Sequence, residues 1–207
     1  MRSLLAASAR SRRGRRTVRS LRDRARADRR RGRVSFLTRH RVIGLALAFA
    51  IFVVDQAIKR WVHFDLGLRQ RGDQIQVTEF FNLTRENNYG VSLGMFAANS
   101  MEMRWALVAL TGAIALFVLV WMMREKVMAD ILALALILGG ALGNIRDRFY
   151  HGFVIDYADL HFGEFRPFLI FNVADAAITI GVVIILARTL LSREKPETGA
   201  DTIASES

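Results

Sequence analysis

Four apolar runs, each long enough to cross a bilayer, constrain this chain more than any other feature: about 42–62, 105–123, 127–145 and 168–191. A hydrocarbon core takes roughly 20 consecutive helical residues. Few soluble domains carry four such runs. The expected fold is therefore an all-α polytopic membrane protein with four transmembrane helices. Pro167 stands just before the fourth run, as suits the start of a helix. The runs show no fixed-period repeat.

A chain that is 52% hydrophobic and yet carries a formal net charge of +11 needs its charge located. Residues 1–41 hold sixteen arginines against two aspartates, a local +14, so the +11 of the whole chain leaves the remainder near −3. The basicity belongs to an arm, expected to be disordered because it has no apolar periodicity. Beside anionic lipid each basic residue of such an arm contributes on the order of 1 kcal/mol. Phosphate attraction alone would also suit nucleic acid, but no recognition motif accompanies the arm, so no nucleic-acid partner is expected. The first apolar run begins only after residue 41 and no small-residue cleavage site follows it, unlike a cleavable signal peptide. The chain has no cysteine, which excludes disulfides, thiol nucleophiles and thiolate-bound metals.

Lysine and arginine near the ends of the runs set direction. The arm, the link Arg124-Glu-Lys126 and the tail with Arg188, Arg193 and Lys195 fall on one side of a four-span chain. Both termini are then cytoplasmic, and the loops at about 63–104 and 146–167 lie outside. The expected organisation is a cytoplasmic arm at 1–41, a membrane domain at 42–191 and a cytoplasmic tail at 192–207. The first outer loop is long for a connector. Its alternating stretch Gln74-Ile-Gln-Val-Thr-Glu-Phe-Phe81 suggests a small strand-rich cap on the outer surface.

Polar residues from separate segments collect in one layer near that outer side. Asp55 and Lys59, at i and i+4 with the acid first, make a favourable helix ion pair. Asn144, Asp147 and Arg148 close the third run. Asn172 and Asp175 fall in the first turns of the fourth, and Asp156 lies in the loop between them. A carboxylate within a spanning segment is costly and by default marks function. Asp55 with Lys59 reads as a structural pair and Asp147 with Arg148 as an interfacial cap. Gly139 and Gly140 read as close helix packing. Asn172, three residues before Asp175, is spaced to orient it. Asp159 and His161 read as solvated loop residues.

Two acids meeting at a membrane surface can share a proton, because like charges held close do not both ionise easily. The ionised acid takes a proton from water as that water attacks a carbonyl. The protonated acid hydrogen-bonds the carbonyl oxygen and later helps protonate the leaving amine. The N-terminus of the fourth helix favours charge on Asp175, while apolar surroundings oppose it.

Five blocks of the chain, in order, resemble lipoprotein signal peptidase, the bacterial signal peptidase II family. They are Asp55-Gln-Ala-Ile-Lys59, Asn88-Tyr-Gly90, Gly139-Gly-Ala-Leu-Gly-Asn144 continuing to Asp147-Arg148, Gly152-Phe-Val-Ile-Asp156 and Phe171-Asn-Val-Ala-Asp175. The resemblance implies a cofactor-free and metal-free aspartyl protease of the bacterial inner membrane. Asp156 and Asp175 match its catalytic pair. Asn88, Gly140, Asn144, Arg148 and Asn172 match its supporting residues, and Asp55 and Lys59 its structural ones; Asp147 is read as structural as well. The implied substrates are prolipoproteins carrying a diacylglyceryl group on the lipobox cysteine, cut just before that cysteine. Their lipid, held in the membrane, would fix the scissile bond at the depth of the polar layer. The chain departs from the family pattern at Val91-Ser-Leu93, where Ala-Ala-Phe is common, and at Tyr157, where Phe is common. Two other functions compete. Asp147, Asp156, Asp159 and Asp175 could together hold magnesium in a lipid-phosphate transferase. Asp175 with Arg148 could form the relay of a small ion-coupled transporter.

Overall fold

The computed structural model describes residues 38–90 and 101–192. Nearly all of the basic arm, the Val91-Ser-Leu93 departure and the tail from Arg193 lie outside the described residues. Among the described residues four helices are long and apolar enough to cross a membrane: α1 (Arg39–Phe64), α2 (Met101–Arg124), α3 (Met128–His151) and α4 (Val173–Ser192). Three strands, β1 (Gln74–Gln76), β2 (Phe81–Asn88) and β3 (Val154–Leu160), form one antiparallel sheet in the order β1-β2-β3. The mostly helical membrane architecture with a small sheet is the one expected.

Three local expectations are corrected. The long strand of the connection after α1 is Phe81–Asn88, whereas only Gln74–Gln76 of the alternating stretch is a strand. The chain turns between them, where Val77 and Thr78 both donate backbone N–H groups to the Phe81 carbonyl. The strand paired with β2 on its other side comes from the connection between α3 and α4, so Asp156 lies within that connection on a strand, β3, opposite Glu86. The fourth helix begins at Val173, later than the 168 expected, and Pro167 is not in its first turn. The backbone of Phe171 is already engaged by the sheet: its N–H donates to the Ala158 carbonyl, and its carbonyl accepts from Tyr157 and Ala158.

The third helix also outruns its apolar stretch, continuing to His151. It stops at Gly152, whose φ of 86° is the left-handed conformation glycine adopts without strain, and whose N–H donates to the Arg148 carbonyl. Asp147 and Arg148 are thus helical residues.

α3 is the central helix. Half of its apolar stretch is buried, against 22% or less in the other three helices. Small residues permit this. A Cβ on Gly139 would lie 2.5 Å from the Ala48 carbonyl oxygen of α1, and one on Gly140 would overlap the Ala174 carbonyl of α4. Ile131, Leu134 and Leu138 of α3 fill the core with Val118 and Met122 of α2. Phe49, Phe117 and Leu190 point outward and are exposed, as suits lipid-facing positions. A second apolar cluster of Val62, Leu68, Ile155, Tyr157 and Ala158 seats the sheet on the end of α1.

Candidate active site

The first turn of α4 carries a reciprocal cap. Asn172 Oδ1 accepts the Asp175 N–H at 2.9 Å, and Asp175 Oδ2 accepts the Asn172 N–H at 3.3 Å. An acid at the third helical position with a polar N-cap is the capping-box pattern. It places the Asp175 carboxylate at the positive end of the helix dipole. Asn172 is buried and also reaches the neighbouring strand. Its Nδ2 donates to Asp156 Oδ1 at 2.6 Å. One residue therefore holds both acids, Asp175 through its backbone N–H and Asp156 through its side chain.

Each acid has a second amide donor. Asn144 Nδ2 donates to Asp175 Oδ1 at 2.7 Å. Asn88 Nδ2 donates to Asp156 Oδ2 at 3.0 Å, while Asn88 Oδ1 accepts the Gly90 N–H at 2.8 Å. That turn sets which end of the Asn88 amide faces the acid. Asp156 is 1% exposed. Burial foremost, and then the neighbouring Asp175 charge, push its carboxyl up to about 7, against the pull of the Asn88 and Asn172 hydrogen bonds. A carboxyl with that value keeps much of its proton near neutrality.

Behind Asn144 lies a buried charge cluster. Lys59 Nζ meets Asp55 Oδ2 at 2.8 Å, Asp147 Oδ2 at 2.8 Å and Asn144 Oδ1 at 3.2 Å. An ammonium has three donors and no acceptor, so all three are used. Because Lys59 can only donate, it fixes the Asn144 oxygen toward itself and leaves the amide NH₂ for Asp175. Asp55 ties the cluster to α4, since its Oδ1 accepts the Ala174 N–H at 3.1 Å. Gly143 makes room for that acid: a Cβ there would lie 2.5 Å from Asp55 Oδ2. Gly140 permits the approach of α3 to the first turn of α4, so its role is steric.

The arrangement corrects some sequence expectations and adds to others. Asp147 pairs with Lys59, so it is not an interfacial cap with Arg148. Asp159 is buried on β3, not solvated, because Arg166 Nε at 3.0 Å and Thr84 Oγ1 at 3.1 Å both bond it. Of the four acids of the magnesium reading, Asp147 and Asp159 are engaged by separate partners, Lys59 for the one and Arg166 with Thr84 for the other, while Asp156 and Asp175 share Asn172. Among the described residues no three acids or histidines converge. Arg148 lies within electrostatic reach of Asp175 and Asp156, but forms no ion pair with Asp175 among the described residues. Gly90, with φ of 83°, sits against it: a Cβ there would be 3.3 Å from Arg148 Nη2. Gln56 escaped notice although it stands in the first motif. Its Nε2 bridges Asp55 Oδ2 and Asp147 Oδ1, each at 3.1 Å. The available signal was its place between Asp55 and Lys59. Tyr157 packs in the apolar cluster at the end of α1, so the exchange of Phe for Tyr falls in packing.

Asp156 opens into a cavity of about 940 Å³ bounded by Glu86, Asn88, Tyr89 and Gly90 on one side and Pro167, Phe168 and Leu169 on the other. A polar floor with an apolar wall suits a peptide entering from lipid. The family model for Signal peptidase (SPase) II matches residues 47–191. The chain belongs to the signal peptidase II family.

Lipoprotein signal peptidase of Sphingopyxis alaskensis is 56% identical over 152 residues, covering 73% of this chain and 87% of that one. The enzyme of the same name from Rhizorhabdus wittichii is 48% identical over 164 residues, covering 79% and 94%. A bacterial membrane enzyme solved by the in meso method at 1.9 Å resolution superposes with a TM-score of 0.63 at 27% identity, covering 74% of this chain and 94% of that one. Membership in the signal peptidase II family makes the chain a multi-pass membrane protease.

Proposed function

We propose that this chain removes the signal peptide from diacylglyceryl-modified prolipoproteins by cleaving before the lipobox cysteine, with Asp156 and Asp175 as the catalytic pair. The observation that carries the reading is the single residue Asn172 bonded to both acids. It holds two carboxyl groups from different elements in register, as a proton-sharing pair requires.

The environments divide the labour. Asp175, with two donors and the helix N-terminus behind it, is the ionised member and takes a proton from the attacking water. Asp156, pushed up to about 7 by burial and by Asp175, is the protonated member. It donates to the scissile carbonyl oxygen as the C–O bond to water forms. When the C–N bond breaks, the amine leaves with a proton and the pair returns to one proton shared. The titration belongs to the pair. Asn88 and Asn144 hold the two carboxylates, and Arg148 supplies positive potential beside them. Asp55, Lys59 and Asp147 position Asn144. The apolar wall at Phe168 and Leu169 suits the acyl chains of the modified cysteine.

The membrane is the bacterial cytoplasmic membrane, with lipid around the four helices, both termini inside and the sheet outside. The arginine-rich arm, the Arg124–Lys126 link and the basic tail support that direction. The test uses purified protein in detergent and a diacylglyceryl-modified prolipoprotein. Asp156→Asn and Asp175→Asn are each expected to lower turnover by at least about a thousandfold with the thermal transition retained. Turnover within about tenfold of wild type in either variant refutes the assignment.

A further inference from the structure

The sheet has a second face. Thr84, Glu86 and Asn88 of β2 line the Asp156 cavity, whereas Arg85 between them lines another cavity of about 480 Å³. Phe153, just before β3, and Ile155, the β3 residue preceding Asp156, also line this second space. Its other walls are the ends of α1 and α3 that carry the sheet.

Its charge is one-sided. Lys59, Arg60, Arg69, Arg85 and Arg146 line it against one acid, Asp147. Lys59 and Asp147 answer each other at 2.8 Å, leaving four guanidinium groups with no carboxylate among the lining residues. Three have other partners: Arg146 donates to Gln56 Oε1, Arg60 lies 5.2 Å from the Phe64 ring centroid, and Arg85 lies 5.9 Å from the Phe153 ring centroid and donates to Asn87. Cations near the C-terminal ends of α1 and α3 also offset the helix dipoles, which accounts for Arg60 and Arg146. It does not account for Arg85 on β2 or Arg69 on the connection before β1.

Arg85 is the strongest sign of a missing ligand. It is 3% exposed, its Nε donates to Asn87 Oδ1 at 3.1 Å, and its Nη1 is buried with no hydrogen-bond partner among the described residues. Buried polar groups are nearly always partnered. His63 Nδ1, on a residue lining the same cavity, is likewise buried without a hydrogen-bond partner among the described residues. Burial pushes the Arg85 guanidinium pKa down, yet arginine keeps its proton in proteins. A fixed fork of guanidinium donors matches phosphate oxygens. The exposed rings of Trp61 and Phe64 mark this end of α1 as the headgroup level of the bilayer.

We propose that this cavity is a phosphate site, taking the phosphodiester of a glycerophospholipid headgroup or a free phosphate on Arg85 and Arg69, with Arg60 at its mouth. The site is separate from the reacting acids, so it stands or falls independently of the peptidase reading.

The experiment titrates delipidated full-length protein in non-ionic detergent with dihexanoyl phosphatidylglycerol and, separately, with inorganic phosphate, following phosphorus NMR line broadening. Saturable binding of at least one probe is expected. Arg85→Gln and Arg69→Gln should each weaken it by at least about tenfold. Lipid binding more than about tenfold tighter than phosphate assigns the headgroup, whereas phosphate binding as tightly or more tightly assigns a free anion. Arg69 is exposed, so its variant carries the test if Arg85→Gln does not fold. Absence of saturable binding by both probes, or variants that bind like wild type, overturns the proposal.

Discussion

Replacing Asn88 with alanine should move the alkaline limb of the reaction upward in pH. Asn88 donates one of the two side-chain amide bonds to Asp156, at 3.0 Å. It favours the charged carboxylate, so its loss favours the protonated one. A hydrogen bond to a charged group contributes about 1.5–3 kcal/mol. Asn88 is exposed and the cavity is open, so water replaces part of the bond and the lower figure applies. At 1.36 kcal/mol per pKa unit that is a shift of about one unit.

The sign follows from the required form. In the proposed mechanism the reactive pair holds one proton, on Asp156. Activity is present below the pKa of Asp156 and is lost as pH rises through it, at about 7 in wild type. In Asn88→Ala the limb should lie near about 8. Below the limb the rate should fall by about tenfold, because Asp156 keeps only Asn172 as a side-chain donor. The measurement is kcat/KM for a diacylglyceryl prolipoprotein from about pH 5.5 to about 9.5 at constant ionic strength, which reports the free enzyme. A limb that stays in place or moves down refutes the assignment of the proton to Asp156.

Two further outcomes test the supporting structure. Lys59→Met leaves Asp55 and Asp147 buried without their cation, at 0% and 1% exposure, and should cost about 3–5 kcal/mol; a melting temperature within about 2 °C of wild type would contradict this. Gly140→Ala drives a Cβ into the Ala174 carbonyl and to 2.9 Å from Ile178 Cγ1, so it should destabilise by about 1–3 kcal/mol and lower kcat by displacing the turn that carries Asp175. Gly112→Ala, with nothing within 4 Å, is the control and should change neither stability by more than about 1 kcal/mol nor kcat.

The sequence by itself determined the membrane class, since four runs of bilayer length leave the backbone few other ways to satisfy its polar groups. It also determined the family, through ordered motifs, and the layer in which the polar residues meet. Lys59 with Asp55 was legible because i,i+4 neighbours on a helix meet whatever surrounds them. The partners of Asp147 and Asp159 were not, because each is chosen by a residue distant in the chain: Lys59 is 88 positions from Asp147, and Thr84 is 75 from Asp159. The same holds for β3. A strand takes its identity from the edge it joins, and that edge, β2, comes from the connection after α1. The late start of α4 was decided by Phe171 bonding the sheet, which overrode a continuous apolar run. Only the tertiary structure set the two faces of the sheet, with Asp156 and Asp159 on one and Arg85 on the other. Alternation of side chains along a strand is local, but which side becomes a cavity depends on what packs against it.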